Sequence, residues 1–65
     1  MYSTYVKSLA REYLDTISKI KSGMYYEEIP WLDDERSVLH EQIERELSVT
    51  VPRHEMPEFC RNEIL

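Results

Sequence analysis

The sequence predicts a small all-α domain built from two main amphipathic helices and a short C-terminal helix. Apolar residues recur at intervals of three and four in two segments, residues 3–22 and 33–47, and this is the spacing of one helix face. The β-branched segment 49–51 has no second strand in the chain to pair with, so we interpret it as an extended connector. Residues 1–65 form a single small domain, because domains usually need about 100 residues or more.

The first segment, residues 3–22, carries the widest apolar face in the chain. At about 100° per residue its apolar positions cover an arc of about 180°, which is wider than one helix contact needs. Ser3 or Thr4 can cap the start of this helix, and the only glycine, Gly23, stands where a C-terminal stop belongs. We therefore expect this helix to lie between two others.

The short chain and the wide apolar face together predict a homodimer that completes the fold. A chain of this length buries only about 60% of its unfolded surface, and small scaffolds usually need a further source of stability. The single cysteine cannot form an internal disulfide. We expect a two-fold dimer with the first helix near the axis and with an interface formed by Tyr5, Leu9, Tyr13 and Ile17.

We predict that residues 24–32 form a linker rich in apolar and aromatic side chains. Pro30 disfavours helix at Ile29, so we expect the second helix to begin near Asp33, with Asp33 or Asp34 as its N-cap.

The aromatic residues of this linker have two interpretations. The linker either folds back over the open end of the core, or it exposes an anchor for a partner, since Trp and Tyr dominate interface hot spots. The candidate anchors are Tyr25, Tyr26 and Trp31.

The second helix has a thin apolar stripe, and the last helix is short. The stripe consists of Leu32, Leu39, Ile43 and Leu47, with Val38 on the other side of the helix. The last helix covers residues 57–64 and begins at a proline, which suits the first turn of a helix.

Charge is distributed unevenly along the chain. The 13 acidic and 8 basic side chains give a net charge of −5. Residues 1–22 contribute +2 and residues 23–65 contribute −7. An acidic surface of this kind favours encounter with a basic partner. Most of the second helix lies outside its stripe, and we expect Glu41 and Glu44 to contribute to partner binding from there.

The residues that could support chemistry form no convincing site. His40 and Glu44 lie one turn apart, but a catalytic zinc ion needs three protein ligands. Cys60 and His54 suggest a nucleophile and a base, yet acidic neighbours disfavour a thiolate. A single glycine excludes a glycine-rich phosphate loop. We therefore predict no enzymatic activity, no metal and no cofactor.

These observations favour a small acidic, non-catalytic protein that binds another protein, as a regulator, adaptor or inhibitor of a larger cytosolic partner. The alternative is a nucleic-acid-binding regulator that uses the basic face of the first helix as a dimer, although the total charge opposes phosphate binding. No apolar run approaches the roughly 20 residues of a membrane span. With no basic start followed by an apolar stretch and one free cysteine, we expect a cytoplasmic protein.

Overall fold

The computed structural model describes residues 2–65 and contains two long helices and a helical C-terminal segment. Helix α1 spans Thr4–Ser22 and helix α2 spans Ile29–Leu47. The C-terminal segment, residues 53–64, passes from a 3₁₀ turn through helix α3, Met56–Phe59, into a π-helical turn, Cys60–Ile64. No strand forms within residues 2–65, so the predicted all-α class is confirmed.

Helix α1 begins and ends where the sequence predicts. The Ser3 Oγ accepts a hydrogen bond from the Val6 backbone N–H at 3.2 Å, which satisfies one of the donors left open at a helix start. At the other end Gly23 has a φ of 77°, a left-handed conformation that glycine adopts without steric cost.

Helix α2 begins earlier than predicted. It starts at Ile29, directly after a 3₁₀ turn over Tyr26–Glu28. Pro30 lies in the first turn of the helix, where a backbone N–H has no intrahelical acceptor and its loss costs little. The predicted linker is therefore shorter than residues 24–32, and Asp33 and Asp34 lie inside the helix instead of capping it.

The end of α2 agrees with the prediction. The helix closes at Leu47, and Ser48 follows with a left-handed φ of 53°. Residues 49–52 then connect α2 to the C-terminal segment without regular structure, and Val51 is buried among the core residues.

The core lies where α1, α2 and the C-terminal segment meet. Helix α1 contacts α2 as well as α3 and the π-helical turn, so the expectation that α1 packs against two neighbours is confirmed. The centre of the core is formed by four fully buried side chains, those of Tyr13, Ile43, Met56 and Cys60. No helix among residues 2–65 is both long and apolar enough to cross a membrane.

One charged residue belongs to the buried side of α2. Arg36 is only 4% exposed, although its charge suggests a solvated face. Its Nε and Nη2 both donate to the Asp33 Oδ1, at 3.2 and 2.7 Å. Arg53 of the C-terminal segment donates to the same oxygen at 2.9 Å. The hydrogen bond from Arg36 lowers the pKa of Asp33 below its usual range, so one carboxylate joins the start of α2 to the C-terminal segment.

Truncating a side chain should reduce stability more on the buried side of α2 than on its exposed side. Ile43→Val removes one methylene from a fully buried side chain and should destabilise the fold by about 1 kcal/mol. In a domain of this size that lowers the Tm by about 4–8 °C. Val38→Ala removes more carbon from an exposed position, yet it should change stability by less than about 0.5 kcal/mol. Thermal unfolding followed by circular dichroism measures both, and an equal loss would contradict this packing.

Candidate partner-binding surface

The side of α2 that faces away from the core forms a continuous strip along the helix. Its residues recur at intervals of three and four and, at about 100° per residue, fall within an arc of about 80°. The buried residues Leu39 and Ile43 lie on the other side. We call this strip the outer face; it consists of Trp31, Asp34, Val38, Glu41 and Arg45.

Large apolar side chains are exposed on the outer face. Trp31 is 71% exposed and Val38 is 53% exposed, and they lie two helical turns apart. Met24 and Tyr26, in the segment that leads into α2, are also mostly exposed. The aromatic residues before and within the first turn of α2 therefore do not close the core. The structure shows the exposure that the second interpretation of this segment requires; partner binding itself stays a prediction.

Tyr25 is more constrained than its neighbour Tyr26. The Lys19 Nζ lies 6.0 Å from the centre of the Tyr25 ring, within range of a cation–π interaction. The same ammonium group is 3.4 Å from the Asp15 carboxylate. Tyr25 is thus held against the end of α1, whereas Tyr26 projects further into solvent.

Acidic side chains surround Trp31 in the sequence. Residues 24–35 contain five carboxylates and no basic side chain. Four of the five are exposed, and only Asp33 is paired with arginines. The exposed members are Glu27, Glu28, Asp34 and Glu35. The start of α2 therefore presents an apolar group inside a region of negative charge.

Glu44, expected to bind a partner, instead fastens the chain to itself. Its Oε2 accepts a hydrogen bond from the Val51 backbone N–H at 2.9 Å. It also lies 3.3 Å from the His40 Nε2, and its side chain is only 25% exposed. The hydrogen bond from Val51 is the main cause that lowers the pKa of Glu44. Of the two glutamates selected from sequence, only Glu41 is exposed on the outer face.

His40 is occupied in the same way. Its Nε2 lies 2.9 Å from the Val51 carbonyl oxygen, and since a carbonyl only accepts, Nε2 must carry the proton. The ring also meets Tyr13 edge to face, with centroids 6.2 Å apart. His40 and Glu44 therefore hold the connector instead of presenting two lone pairs to a metal. No group of three or more His, Cys, Asp or Glu within residues 2–65 is arranged to hold a metal ion.

Cys60 lies in the core. It is fully buried, and burial raises the pKa of its thiol to about 11. The thiol therefore stays protonated at neutral pH. His54, the base considered with it, lies in the exposed turn before α3, 3.6 Å from the carboxylate of Glu55. The two residues do not form a nucleophile–base pair.

The residues expected at a dimer interface differ in what they leave exposed. Leu9 and Tyr13 are buried within the chain's own core, so they have no surface to offer a second copy. Tyr5 is 54% exposed, and Ile17 is partly buried. Only these two have surface left.

Comparison with known proteins adds no relative to this description, because no family model, curated protein or solved structure matches the chain. The surfaces of the chain itself therefore provide the indications of its function.

The tie between Glu44 and the connector predicts a specific pH dependence. Folding lowers the pKa of Glu44 from 4.5, so its ionised form stabilises the fold above pH 4.5, and this contribution is lost as the pH falls through the lowered value. Glu44→Gln should therefore be less stable than the native chain at pH 7, and the difference should shrink toward pH 3. Urea denaturation across this range measures it. Glu46→Gln, an exposed change on the same helix, is the control, and a difference independent of pH would refute the role given to the charge.

Proposed function

We propose that this chain is a small non-catalytic protein that binds another protein through the outer face of α2 and the turn before it. The observation that carries the proposal is the exposure of Trp31 on the side of α2 opposite the core. Burial of an indole removes a large apolar area from water. A tryptophan that served only the fold would lie on the buried stripe, where Leu39 and Ile43 lie.

The charge around Trp31 supports a partner of defined chemistry. A tryptophan in the centre of an interface usually fills an apolar pocket, while polar groups at the rim complete the contact. Here the rim of the proposed interface is acidic, since the exposed carboxylates near Trp31 have no basic residue among them. The complementary surface is an apolar pocket with lysines or arginines at its edge.

The geometry of the outer face favours binding without a large ordering cost. Trp31 lies in the first turn of a helix that is fixed to the core by Leu32 and Leu39. A side chain on a rigid element loses little freedom when it binds, and this preserves more of the gain from burial as affinity. Met24 and Tyr26, just before the helix, extend the apolar surface that a partner could cover.

The proposal of a non-catalytic role is supported by the structural contacts of the three most reactive side chains. His40 and Glu44 are engaged with the backbone of Val51, and Cys60 is a buried thiol. Each has a role in the fold that accounts for its position. His40 and Glu44 lie 3.3 Å apart, but both are engaged with Val51, and Cys60 is enclosed in the core. None of the three therefore faces an accessible substrate site, as a nucleophile or general base has to.

We also propose a homodimer, for which fewer of the expected interface residues are accessible than the sequence suggested. The arc of α1 that suggested it is largely covered by the chain's own α2 and C-terminal segment. Tyr5 and Ile17 are the members of the expected interface that keep some surface. A dimer in this arrangement would join copies through α1 and leave the outer face of α2 free for the partner.

The partner-binding proposal predicts that Trp31→Ala weakens binding by about 30-fold or more, as expected for a hot spot worth about 2 kcal/mol. The partner is captured from a native lysate, identified and purified, and its affinity is measured by isothermal titration calorimetry. Because Trp31 is exposed, the variant should keep the native Tm within a few degrees. Val49→Ala, which truncates an exposed apolar side chain outside the outer face, is the control and should bind normally.

Charge reversal on the outer face tests the acidic rim. Asp34→Lys with Glu41→Lys should slow association with the partner, and the difference from the native chain should fall as salt rises, because the Debye length shortens from about 8 Å at physiological ionic strength. Stopped-flow association rates at two salt concentrations measure this. Lys7→Glu with Arg11→Glu is the control on α1. If the control abolishes binding and the outer-face variant does not, the basic face of α1 is the binding surface, and the nucleic-acid alternative is favoured.

The homodimer predicts a solution mass of twice the 7.9 kDa of the chain. Multi-angle light scattering across the micromolar range measures it, and Tyr5→Glu should halve the mass while Trp31→Ala leaves it unchanged. A native mass of one chain at all concentrations would refute the dimer. If Trp31→Ala alone halves the mass, the second copy binds at the outer face instead.

A further inference from the structure

A cleft opens on a different side of α2 from the outer face. It lies between the C-terminal half of α1, the first turns of α2 and the C-terminal segment, and its volume is about 490 Å³. This is within the range of pockets that hold small molecules, roughly 300–1,000 Å³. Part of its wall is apolar and is formed by Ile17, Ile20 and Pro57.

The charged lining of the cleft has the opposite sign to the chain as a whole. Lys21, Arg36 and Arg53 line it together with a single carboxylate, that of Asp33. The three cations and one anion leave an excess of two positive charges, in a chain whose net charge is −5. This local excess favours an anionic ligand.

The arrangement around Asp33 leaves one guanidinium without a balancing charge. Arg36 and Arg53 both donate to the same oxygen of that carboxylate, Oδ1. One carboxylate supplies a single negative charge for the two cations. Arg36, which is only 4% exposed, makes two of these hydrogen bonds and is balanced by the carboxylate, so the excess positive charge lies at Arg53, whose side chain is 68% exposed. A second anion placed against the two guanidinium groups would balance it.

A buried hydroxyl group on the cleft wall also lacks an acceptor. Tyr13 lines the cleft and is fully buried, and its O–H finds no hydrogen-bond acceptor in the range 2–65. The neighbouring Arg36 guanidinium can only donate, and it lowers the pKa of Tyr13 by less than burial raises it. Buried polar groups in proteins are nearly always paired. Burial raises the pKa of Tyr13, so the group remains an O–H donor and calls for an acceptor. A carboxylate or phosphate oxygen is an acceptor of this kind.

We propose that this cleft binds a small amphipathic anion, with its carboxylate or phosphate group against Arg36 and Arg53 and its apolar body on Ile17, Ile20 and Pro57. The planar guanidinium donates two parallel hydrogen bonds to either anionic group. The apolar wall selects against a bare inorganic ion, and the cationic lining selects against a neutral molecule. The site is independent of the outer face, so it does not rest on the protein-binding proposal.

The test uses ligands that contain both features and ligands that contain only one. The ¹⁵N-labelled chain is titrated with hexanoate and with hexyl phosphate, and separately with hexanol and with inorganic phosphate. Backbone amides and the Arg36 Nε–H resonance report binding. At least one of the two amphipathic anions should give saturable shifts at the cleft residues and bind at least tenfold more tightly than both hexanol and phosphate. The stronger of the two identifies the anionic group.

Each other outcome overturns part or all of the proposal. If phosphate binds as tightly as hexyl phosphate, the apolar body has no role. If hexanol binds as tightly as hexanoate, the cations have none. If no ligand gives saturable shifts at the cleft, the cleft is not a binding site.

Two variants and a control separate this site from general charge attraction. Arg53→Gln and Lys21→Gln each remove one cation from an exposed position at the cleft and should weaken binding of the amphipathic anion about tenfold, or about 1.4 kcal/mol. Arg61→Gln makes the same charge change at an exposed position outside the cleft lining and should leave affinity unchanged. Thermal unfolding confirms that each variant is folded. Equal weakening by all three would mean that net charge, and not the cleft, attracts the anion.

Discussion

The apolar arc of α1 is the constraint on which the rest of the structure depends. It is too wide to be covered by one helix, so the 65-residue chain has to supply two covering elements. Helix α2 covers one side, and α3 with the π-helical turn covers another. The chain meets much of this requirement within itself by turning back after α2. The position of the connector and of the C-terminal segment therefore follows from the width of one helix face.

Two polar ties hold the returning chain against α2. Near the start of the helix, Asp33 accepts from both Arg36 and Arg53. Near its end, Glu44 accepts from the backbone of Val51. An exposed ion pair such as Asp33–Arg53 contributes little by itself, whereas an unmade hydrogen bond to a buried backbone group is costly. The Glu44 tie is therefore the more important for stability, and the Asp33 tie mainly fixes where the C-terminal segment lies.

Local rules were sufficient for the parts of the fold that depend on local contacts. The spacing in α1, its Ser3 cap and its Gly23 stop all involve residues within one or two helical turns, and the structure agrees with each. The start of α2 was predicted wrongly because Pro30 has two opposite meanings. Proline ends a helix that precedes it, but it also fits the first turn of a helix that begins there. Which of the two applies to Pro30 is clear only once the register of α2 is known. The same register places Trp31 on the exposed side of the helix.

The contacts that the sequence did not reveal are those set by a distant part of the chain. Glu44 looks like any solvated glutamate, since its partner Val51 is brought to it only by the left-handed turn at Ser48. No pattern in the sequence marks that contact. Arg36 did have a signal, because positions 32, 36, 39 and 43 together complete the helical spacing of the stripe. The stripe predicted from the sequence contains only apolar residues and therefore leaves Arg36 out.

The burial of Arg36 is hard to explain by stability alone. Burial has the largest single effect on the pKa of Arg36 and lowers it, but the hydrogen bonds donated to Asp33 and the further interactions with Asp33 and Tyr13 together raise the pKa above its ordinary value. The guanidinium therefore stays charged inside the edge of the core. Replacing a buried ion pair with apolar side chains of similar size is often neutral or even stabilising. A leucine or methionine at this position would complete the stripe with Leu32 and Leu39 and would leave no charge to balance. The apolar stripe therefore does not account for an arginine at this position. The cationic cleft accounts for it, because this guanidinium is part of the cleft lining.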